Sequence, residues 1–121
     1  MRFLVTRPQP DCKRTADRLR ALGHKADEMP LLQFYPCPPP SFDLAGVDAL
    51  ALTSRRAVDA ITHHAQLKQL TSLPAFTVGD KTAEACRAVG FEDVRSADSD
   101  VAGLASLILS SAESDLRKVL Y

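Results

Sequence analysis

The segment Asp48-Ala49-Leu50-Ala51-Leu52-Thr53-Ser54 decides the fold class, because residues 49–52 form an uninterrupted apolar run. Strands that are covered on both faces have this pattern and occur in parallel sheets, whereas strands with one solvated face alternate apolar and polar residues. Thr53 and Ser54 follow at once, and a hydroxyl side chain in this position can cap a helix. The segment therefore predicts a buried parallel strand that leads directly into a helix.

The same strand-and-helix pattern is predicted on both sides of this segment, which gives an α/β fold. Before it come a strand at Phe3–Thr6, a helix with Cys12, Ala16, Leu19 and Leu22 on its apolar face and Gly23 at its end, and a strand between residues 25 and 34 that Pro30 interrupts. After it come a helix with buried Ala57, Val58, Ile61 and Ala65, a strand at Pro74–Val78, a helix from Thr82 to Val89 ended by Gly90, a short strand at Val94, a helix capped by Asp100 with Leu104, Leu107 and Ile108 inward, and a strand at Lys118–Tyr121.

A proline-rich segment, Pro36-Cys37-Pro38-Pro39-Pro40-Ser41, divides this pattern. Consecutive prolines impose an extended, semi-rigid conformation, which is typical of a linker. We predict two parallel-sheet α/β domains: residues 1–34 are the first segment of domain 1, 35–40 the linker and 41–121 the N-terminal part of domain 2. Because the sequence stops within an apolar strand, we expect these 121 residues to be the front part of a longer chain, with both domains incomplete, and to be inactive alone.

A faint internal repeat is consistent with two similar bodies. Residues 15–23 and 82–90 are identical at five of nine positions, and both segments end in glycine. Helix composition alone can produce such a match, so the repeat supports the two-body interpretation only weakly.

Composition excludes several classes of protein. The 15 Lys and Arg balance 15 Asp and Glu, and this neutrality argues against a nucleic-acid-binding module. No apolar run approaches the ~20 residues of a membrane-spanning helix, and the N-terminal apolar stretch is too short for a signal peptide. We therefore expect a soluble, cytoplasmic protein. Residues 1–25 hold seven basic and two acidic residues, which fits either a solvated helix face or attraction for a polyanion.

The cysteines and histidines do not have the spacing of a metal or redox site. Cys12, Cys37 and Cys86 lie 25 and 49 residues apart, and the three histidines have no cysteine or carboxylate at ligand spacing. Cys12 and Cys86 fall on apolar faces of predicted helices, where cysteine acts as a small hydrophobe. We expect reduced, buried thiols and no metal.

Hydroxyl residues or glycine recur where a predicted strand ends and a helix begins, at Thr6-Arg7, at Thr53-Ser54 and from Gly79 to Thr82. In parallel α/β sheets, ligands bind in the crevice beyond the carboxyl ends of the strands. Helix N-termini there offer free N–H groups and partial positive charge, which suit carboxylates or phosphates. The alternative is that Thr53, Ser54 and Thr82 are only helix caps.

An ordered set of short motifs resembles the uroporphyrinogen-III synthase family. The matching segments are Val5-Thr6-Arg7-Pro8, Leu19-Arg20-Ala21-Leu22-Gly23, Met29-Pro30-Leu31, Asp48-Ala49-Leu50-Ala51-Leu52-Thr53-Ser54, Val78-Gly79-Asp80-Lys81-Thr82-Ala83 and Lys118-Val119-Leu120-Tyr121. Two departures stand out: Arg56 occupies a position where the family usually has Asn, and the second half of the family's sequence, with its conserved tyrosine, is absent.

This resemblance implies a chemistry. The family cyclises linear hydroxymethylbilane, which carries eight carboxylates, to uroporphyrinogen III with inversion of ring D and loss of water. It needs no cofactor or metal, acts as a monomer, and binds its substrate between two α/β domains, largely through backbone amides. Carried over, Thr82 is the candidate catalytic residue, and the candidate substrate-binding residues are Thr6, Arg7, Thr53, Ser54 and Gly79. A non-catalytic binding or regulatory module with this fold remains the alternative.

Overall fold

The computed structural model describes residues 1–111 and 116–121, which form two compact units, Met1–Tyr35 and Pro36–Tyr121. The mixed α/β class with parallel sheets is confirmed. The first unit contains β1 (Arg2–Val5), α1 (Asp11–Ala21) and β2 (Lys25–Glu28). The second contains β3 (Ala49–Leu52), α2 (Arg55–Ile61), α3 (Leu67–Thr71), β4 (Ala75–Thr77), α4 (Asp80–Ala88), β5 (Val94–Ser96), α5 (Val101–Ser111) and β6 (Val119–Leu120). In the described residues, no helix is both long enough and apolar enough to cross a membrane.

The first unit is a two-stranded parallel sheet with one helix on one face. Residues pair from Arg2 with Lys25 to Val5 with Glu28, and α1 covers one side. The core consists of Val5, Cys12, Ala16 and Ala26, with Leu19 partly buried against it. Leu4, which alternates with Val5 and so points to the opposite face, is 59% exposed.

At the element ends of the first unit, one expectation is wrong and another is confirmed only in part. Leu22 was predicted on the apolar face of the helix, but it follows the last helical turn as the C-cap and is 73% exposed. The second strand stops at Glu28, two residues before Pro30, because proline cannot donate to a strand ladder. The apolar residues after it, including Leu31, Leu32 and Phe34, are exposed.

The second unit is built on a four-stranded parallel sheet with the order β5-β4-β3-β6. All four residues of β3 are buried, so the prediction from its uninterrupted apolar run is confirmed. From β3 the chain moves outward through β4 to β5 and then returns past the sheet to pair β6 with the other side of β3. This reversal of direction is what allows helices to cover both faces, since parallel crossovers are right-handed.

Two clusters of apolar side chains occupy the two faces of this sheet. On one face, Leu50, Leu52 and Ala75 form a cluster with side chains of α2, α3, α4 and the turn after α4, namely Val58, Ile61, Leu70, Cys86 and Phe91. On the other face, Ala49, Ala51 and Phe76 pack against Leu104 of α5. Phe76 is 1% exposed and is the largest fully buried side chain among the described residues.

Several predicted boundaries in the second unit need correction. The predicted apolar face of α2 included Ala65, but α2 ends at Ile61 and Ala65 is exposed in the turn before α3. The short helix α3 was not predicted at all. Helix α4 begins at Asp80 rather than at Thr82, because Gly79 is already its N-cap. Asp100 does cap α5, with its Oδ1 accepting from the amide of Gly103 at 2.9 Å.

The internal repeat has a structural counterpart at the ends of α1 and α4. Gly23 (φ +82°) and Gly90 (φ +107°) both adopt the left-handed conformation that favours glycine. In both turns the amide of the next residue bonds back to the last helical turn, His24 to the Leu19 carbonyl and Phe91 to the Cys86 carbonyl, each at 3.1 Å. The two helices therefore end in the same Schellman-type turn.

Asp48 holds the edge strand β6 onto β3. Its Oδ2 accepts hydrogen bonds from the amides of Arg117 (2.8 Å) and Lys118 (2.9 Å), while Lys118 Nζ donates to the carbonyl of Ala45 at 2.9 Å. The two amides stabilise the carboxylate, so they lower the pKa of Asp48 below its ordinary value.

The proline-rich segment is fastened to the second unit by two side chains. His64 Nε2–H donates to the carbonyl of Pro39 at 2.9 Å, while its Nδ1 accepts from the amide of Gln66. The Gln66 amide group binds both backbone groups of Phe42, at 2.7 and 3.1 Å. These bonds explain why residues 36–44 cluster with the second unit.

Candidate functional site

The candidate site lies at the carboxyl ends of β3 and β4, which are adjacent and parallel. Leu52, the last residue of β3, pairs with Thr77, the last residue of β4. Thr53 and Ser54 follow β3, and Gly79 follows β4. Both strands lead directly into helices that pack side by side, so the sheet brings these predicted residues to one edge.

Ser54 is a helix cap, as one of the two interpretations of the sequence proposed. Its Oγ accepts from the amide of Arg56 at 3.2 Å and its backbone is extended, as at the start of many helices. Thr53 is half-buried and caps nothing. Within this pair, only Thr53 has a hydroxyl that is not committed to the helix.

The N-terminus of α4 is open. Gly79 is its N-cap in an extended conformation, and because glycine has no side chain, no side-chain oxygen caps the helix. The first intrahelical bonds come from the amides of Thr82 and Ala83, both to the Gly79 carbonyl at 3.1 Å. Among the described residues, nothing accepts from the amides of Asp80 and Lys81. Free amides at a helix N-terminus, with the helix dipole behind them, favour an anion.

Thr82 contributes a hydroxyl to the same helix turn. The residue is 8% exposed, yet no described residue makes a hydrogen bond with its Oγ1. In the described part of the chain, every side-chain polar atom that is sealed from solvent has a partner. The Thr82 oxygen must therefore still reach solvent. Thr82 is thus not a cap, and its hydroxyl is available to a ligand.

Two further elements shape this edge, and sequence reasoning missed them. Thr77 is fully buried and its Oγ1 donates to the Gly79 carbonyl at 3.3 Å, which fixes the turn before α4. The loop after β5 is bonded to the same turn, through Ser99 N to the Val78 carbonyl at 3.0 Å. The signal was present in the segment Ser96-Ala97-Asp98-Ser99-Asp100, where polar residues also follow a strand and precede a helix.

Gly103 in α5 allows the β5–α5 loop to lie this close to its helix. A Cβ at position 103 would stand 2.8 Å from the Cβ of Ser99, which is closer than real side chains approach. The nearby Asp100 carboxylate accepts from the Gly103 amide, and this bond lowers its pKa. The loop after β5 and the first turn of α5 are therefore held together beside the carboxyl end of β4.

Thr6 and Arg7 belong to the first unit, where they follow β1. The Thr6 carbonyl accepts from the amide of Leu31 at 3.1 Å. The Arg7 guanidinium contacts α1, donating to Thr15 Oγ1 at 3.1 Å and lying 3.7 Å from Asp11 Oδ2. Both residues are exposed, but the Arg7 charge is partly compensated by Asp11.

The cysteines do not form part of the candidate site. Cys12 is buried and its Sγ donates to the Val5 carbonyl, while burial raises the pKa of Cys86 to about 11, so its thiol stays protonated. Cys37, contrary to the expectation of buried thiols, is exposed because it lies in the proline-rich segment outside both cores. Among the described residues, no three His, Cys, Asp or Glu side chains are grouped as metal ligands.

Comparison with known families matches residues 13–121 to the family described as uroporphyrinogen-III synthase HemD. A comparison with curated proteins gives no match. The family match begins inside α1, at residue 13, and covers β2 and the whole of the second unit, including the open helix N-terminus and Thr82. The chain belongs to the uroporphyrinogen-III synthase family.

Proposed function

We propose that this protein acts as a uroporphyrinogen-III synthase, closing hydroxymethylbilane to uroporphyrinogen III in tetrapyrrole biosynthesis. The observation that carries the proposal is the Thr82 hydroxyl, unbonded and beside the open N-terminus of α4, within a chain of this family. By analogy with the family, the enzyme is a cytoplasmic monomer that uses neither cofactor nor metal.

The anionic side chains of the bilane suit the edge of the sheet. The free amides of Asp80 and Lys81 would donate to one carboxylate, and the helix dipole adds to the attraction. Thr53 would bind a second polar group of the substrate. Gly79 contributes by leaving the helix end uncovered, and Ser54 by holding α2 in place. In the first unit, Thr6 and Arg7 are the proposed substrate-binding residues, as the family resemblance implies.

The reaction breaks the bond between the terminal carbon and its hydroxyl, which takes up a proton and leaves as water. The cationic carbon that remains forms a bond to the α-carbon of ring D that already carries the methylene bridge from ring C. The bond between that α-carbon and the bridge then breaks, the bridge bonds instead to the free α-carbon of ring D, and that carbon loses its proton, which leaves ring D inverted. We propose that Thr82 Oγ1 hydrogen-bonds the departing hydroxyl. Such a bond assists departure if it is stronger in the transition state than in the bound substrate.

The test of the assignment is an assay of the complete gene product with hydroxymethylbilane, in which the isomers of the product are separated. We expect the type III isomer in excess. Exclusive formation of the uninverted type I isomer would contradict the assignment and favour the non-catalytic binding module.

The role of Thr82 is tested with two near-isosteric variants. Thr82→Val removes the hydroxyl and Thr82→Ser keeps it. A hydrogen bond to a group that becomes charged contributes about 1.5–3 kcal/mol, so we expect Thr82→Val to lower kcat/KM about 10- to 100-fold and Thr82→Ser to retain most activity. Melting temperatures should stay close to wild type because the hydroxyl has no hydrogen-bond partner in residues 1–111 and 116–121. A large loss of stability with normal turnover per folded molecule would show a structural role only.

A further inference from the structure

Two positive side chains of the second unit border the candidate site and have no partner among the described residues. Arg55 is the first residue of α2 and Lys81 the second residue of α4. Both are exposed, and neither makes an ion pair or hydrogen bond within residues 1–111 and 116–121. Most other cations in the described chain are engaged, as in the pairs Arg2–Asp27, Lys13–Asp17 and Arg95–Asp93.

The two cations stand at neighbouring strand ends on one side of the sheet. Helices α2 and α4 pack against each other, and Arg55 and Lys81 lie in the first turns of α2 and α4 respectively. The same edge of the sheet carries the Thr82 hydroxyl and the open end of α4. The one exposed carboxylate in these two turns is Asp80, which partly offsets the positive charge.

We propose that Arg55 and Lys81 determine the affinity of this site for a substrate with several carboxylates. This inference rests on the proposed function and adds to it two specificity residues that act in binding rather than in chemistry. A ligand with several carboxylates along the edge can contact both cations and the N-terminus of α4 at the same time, so the factors by which each contact raises the affinity multiply. A ligand with a single carboxylate gains from only one of them.

The experiment compares charge-removing variants of the complete protein. Arg55→Gln and Lys81→Gln are tested singly and together, and Lys68→Gln serves as the matched control. The Lys68 side chain in α3 is also exposed and also without a partner in the described chain, but α3 precedes the amino end of β4 and does not follow the carboxyl end of a strand. The readouts are KM and kcat for hydroxymethylbilane, and the Kd of uroporphyrin, a fluorescent octacarboxylate, at 0.05 M and 1 M salt.

We expect each single variant to raise KM and Kd about 2- to 5-fold at low salt, because exposed ion pairs are individually weak, and the double variant to show the product of the two effects. The kcat should not change. At 1 M salt, where the Debye length is about 3 Å, the differences from wild type should largely disappear. Asp80→Asn should have the opposite effect and lower KM, while Lys68→Gln should match wild type.

The inference and the proposed function fail in different ways. If wild type forms the type III isomer but the double variant keeps the wild-type KM, Kd and salt dependence, the inference is wrong and the proposed function stands. If wild type forms no type III isomer but uroporphyrin binding weakens in the double variant and not in Lys68→Gln, the anion-binding role of the two cations stands and the proposed function is wrong. An equal effect of Lys68→Gln would also overturn the inference, because it would reflect overall charge.

Discussion

The two units differ in how completely their parallel sheets are buried. In the first, α1 covers one face of β1 and β2, and Leu4 on the other face is 59% exposed. In the second, the face opposite α2 and α4 is covered by α5, and Phe76 there is 1% exposed. The difference follows from strand order, because only a chain that reverses direction across the sheet places helices on both sides.

The strand sequences reflect this difference. β3 has the sequence ALAL and is buried throughout, whereas β2 has the sequence KADE and only Ala26 is buried. A continuous apolar strand signals two covered faces, and a strand with charged residues signals an open one. The cores differ accordingly: the first unit buries four modest side chains, and the second buries two separate clusters.

The largest expected difference appears when the units are produced separately. We expect residues 36–121 to fold cooperatively and the peptide 1–35 to remain unfolded, because a chain below about 40 residues rarely buries enough apolar surface without a disulfide or metal. Circular dichroism during urea titration and amide dispersion in NMR spectra measure this. Cooperative unfolding of the 1–35 peptide would show that the first unit is stable alone, and would contradict the expected difference in stability between the two units.

A second experiment compares large-to-small substitutions in the two cores. Phe76→Ala should lower the free energy of unfolding of the second unit by about 3–5 kcal/mol, since it leaves a cavity in a fully packed core. Val5→Ala in the first unit should leave that same transition within about 0.5 kcal/mol of wild type, because the two sites share no described neighbours. Urea denaturation of residues 1–121 provides the values. Equal effects would indicate that both units unfold as a single body.

The smallest expected effect concerns Asp48. Its pKa is lowered in the folded state, so the charged carboxylate adds stability above its unfolded pKa of about 3.9, and this stability is lost as the pH falls through the folded pKa. Asp48→Asn should therefore lower the urea midpoint at pH 7, and its difference from wild type should shrink below pH 4. Asp59→Asn, at an exposed aspartate of α2, is the control. A difference that persists at low pH would mean that the charge is not responsible.

The fold was largely predictable because its signals are local. The apolar run of β3, the helical spacing of Cys12 and Ala16, and the glycine at the end of α4 were read correctly from the sequence. Errors occurred where burial depends on distant partners. Leu22 and Ala65 fit an apolar stripe by spacing, but the helix stops before either can reach a core.

The placement of the candidate residues at one edge of the sheet was predictable, but their hydrogen bonding was not. Thr53 and Gly79 each follow a predicted parallel strand, and in the structure both lie beyond the carboxyl ends of β3 and β4. Whether a hydroxyl is a cap or is free depends on φ/ψ and on the nearest amide, which is why Ser54 and Thr82 look alike in the sequence and differ in the structure. The contact of Ser99 with Val78 depends on the register of β4 and β5, which no local pattern reveals.

The strand order also has a consequence for the time course of folding. The β3–β4 and β4–β5 pairs join segments that are close in the chain, whereas the amide of Lys118 reaches Asp48 across 70 residues. Closing a longer loop costs more chain entropy, and pairings between distant segments slow folding. During synthesis, β3, β4 and β5 can therefore assemble with their helices first. Until β6 pairs with β3, the unpaired edge of β3 can form hydrogen bonds with other chains. The hydrogen bonds that Asp48 accepts from the amides of Arg117 and Lys118 hold β6 in the position that covers this edge.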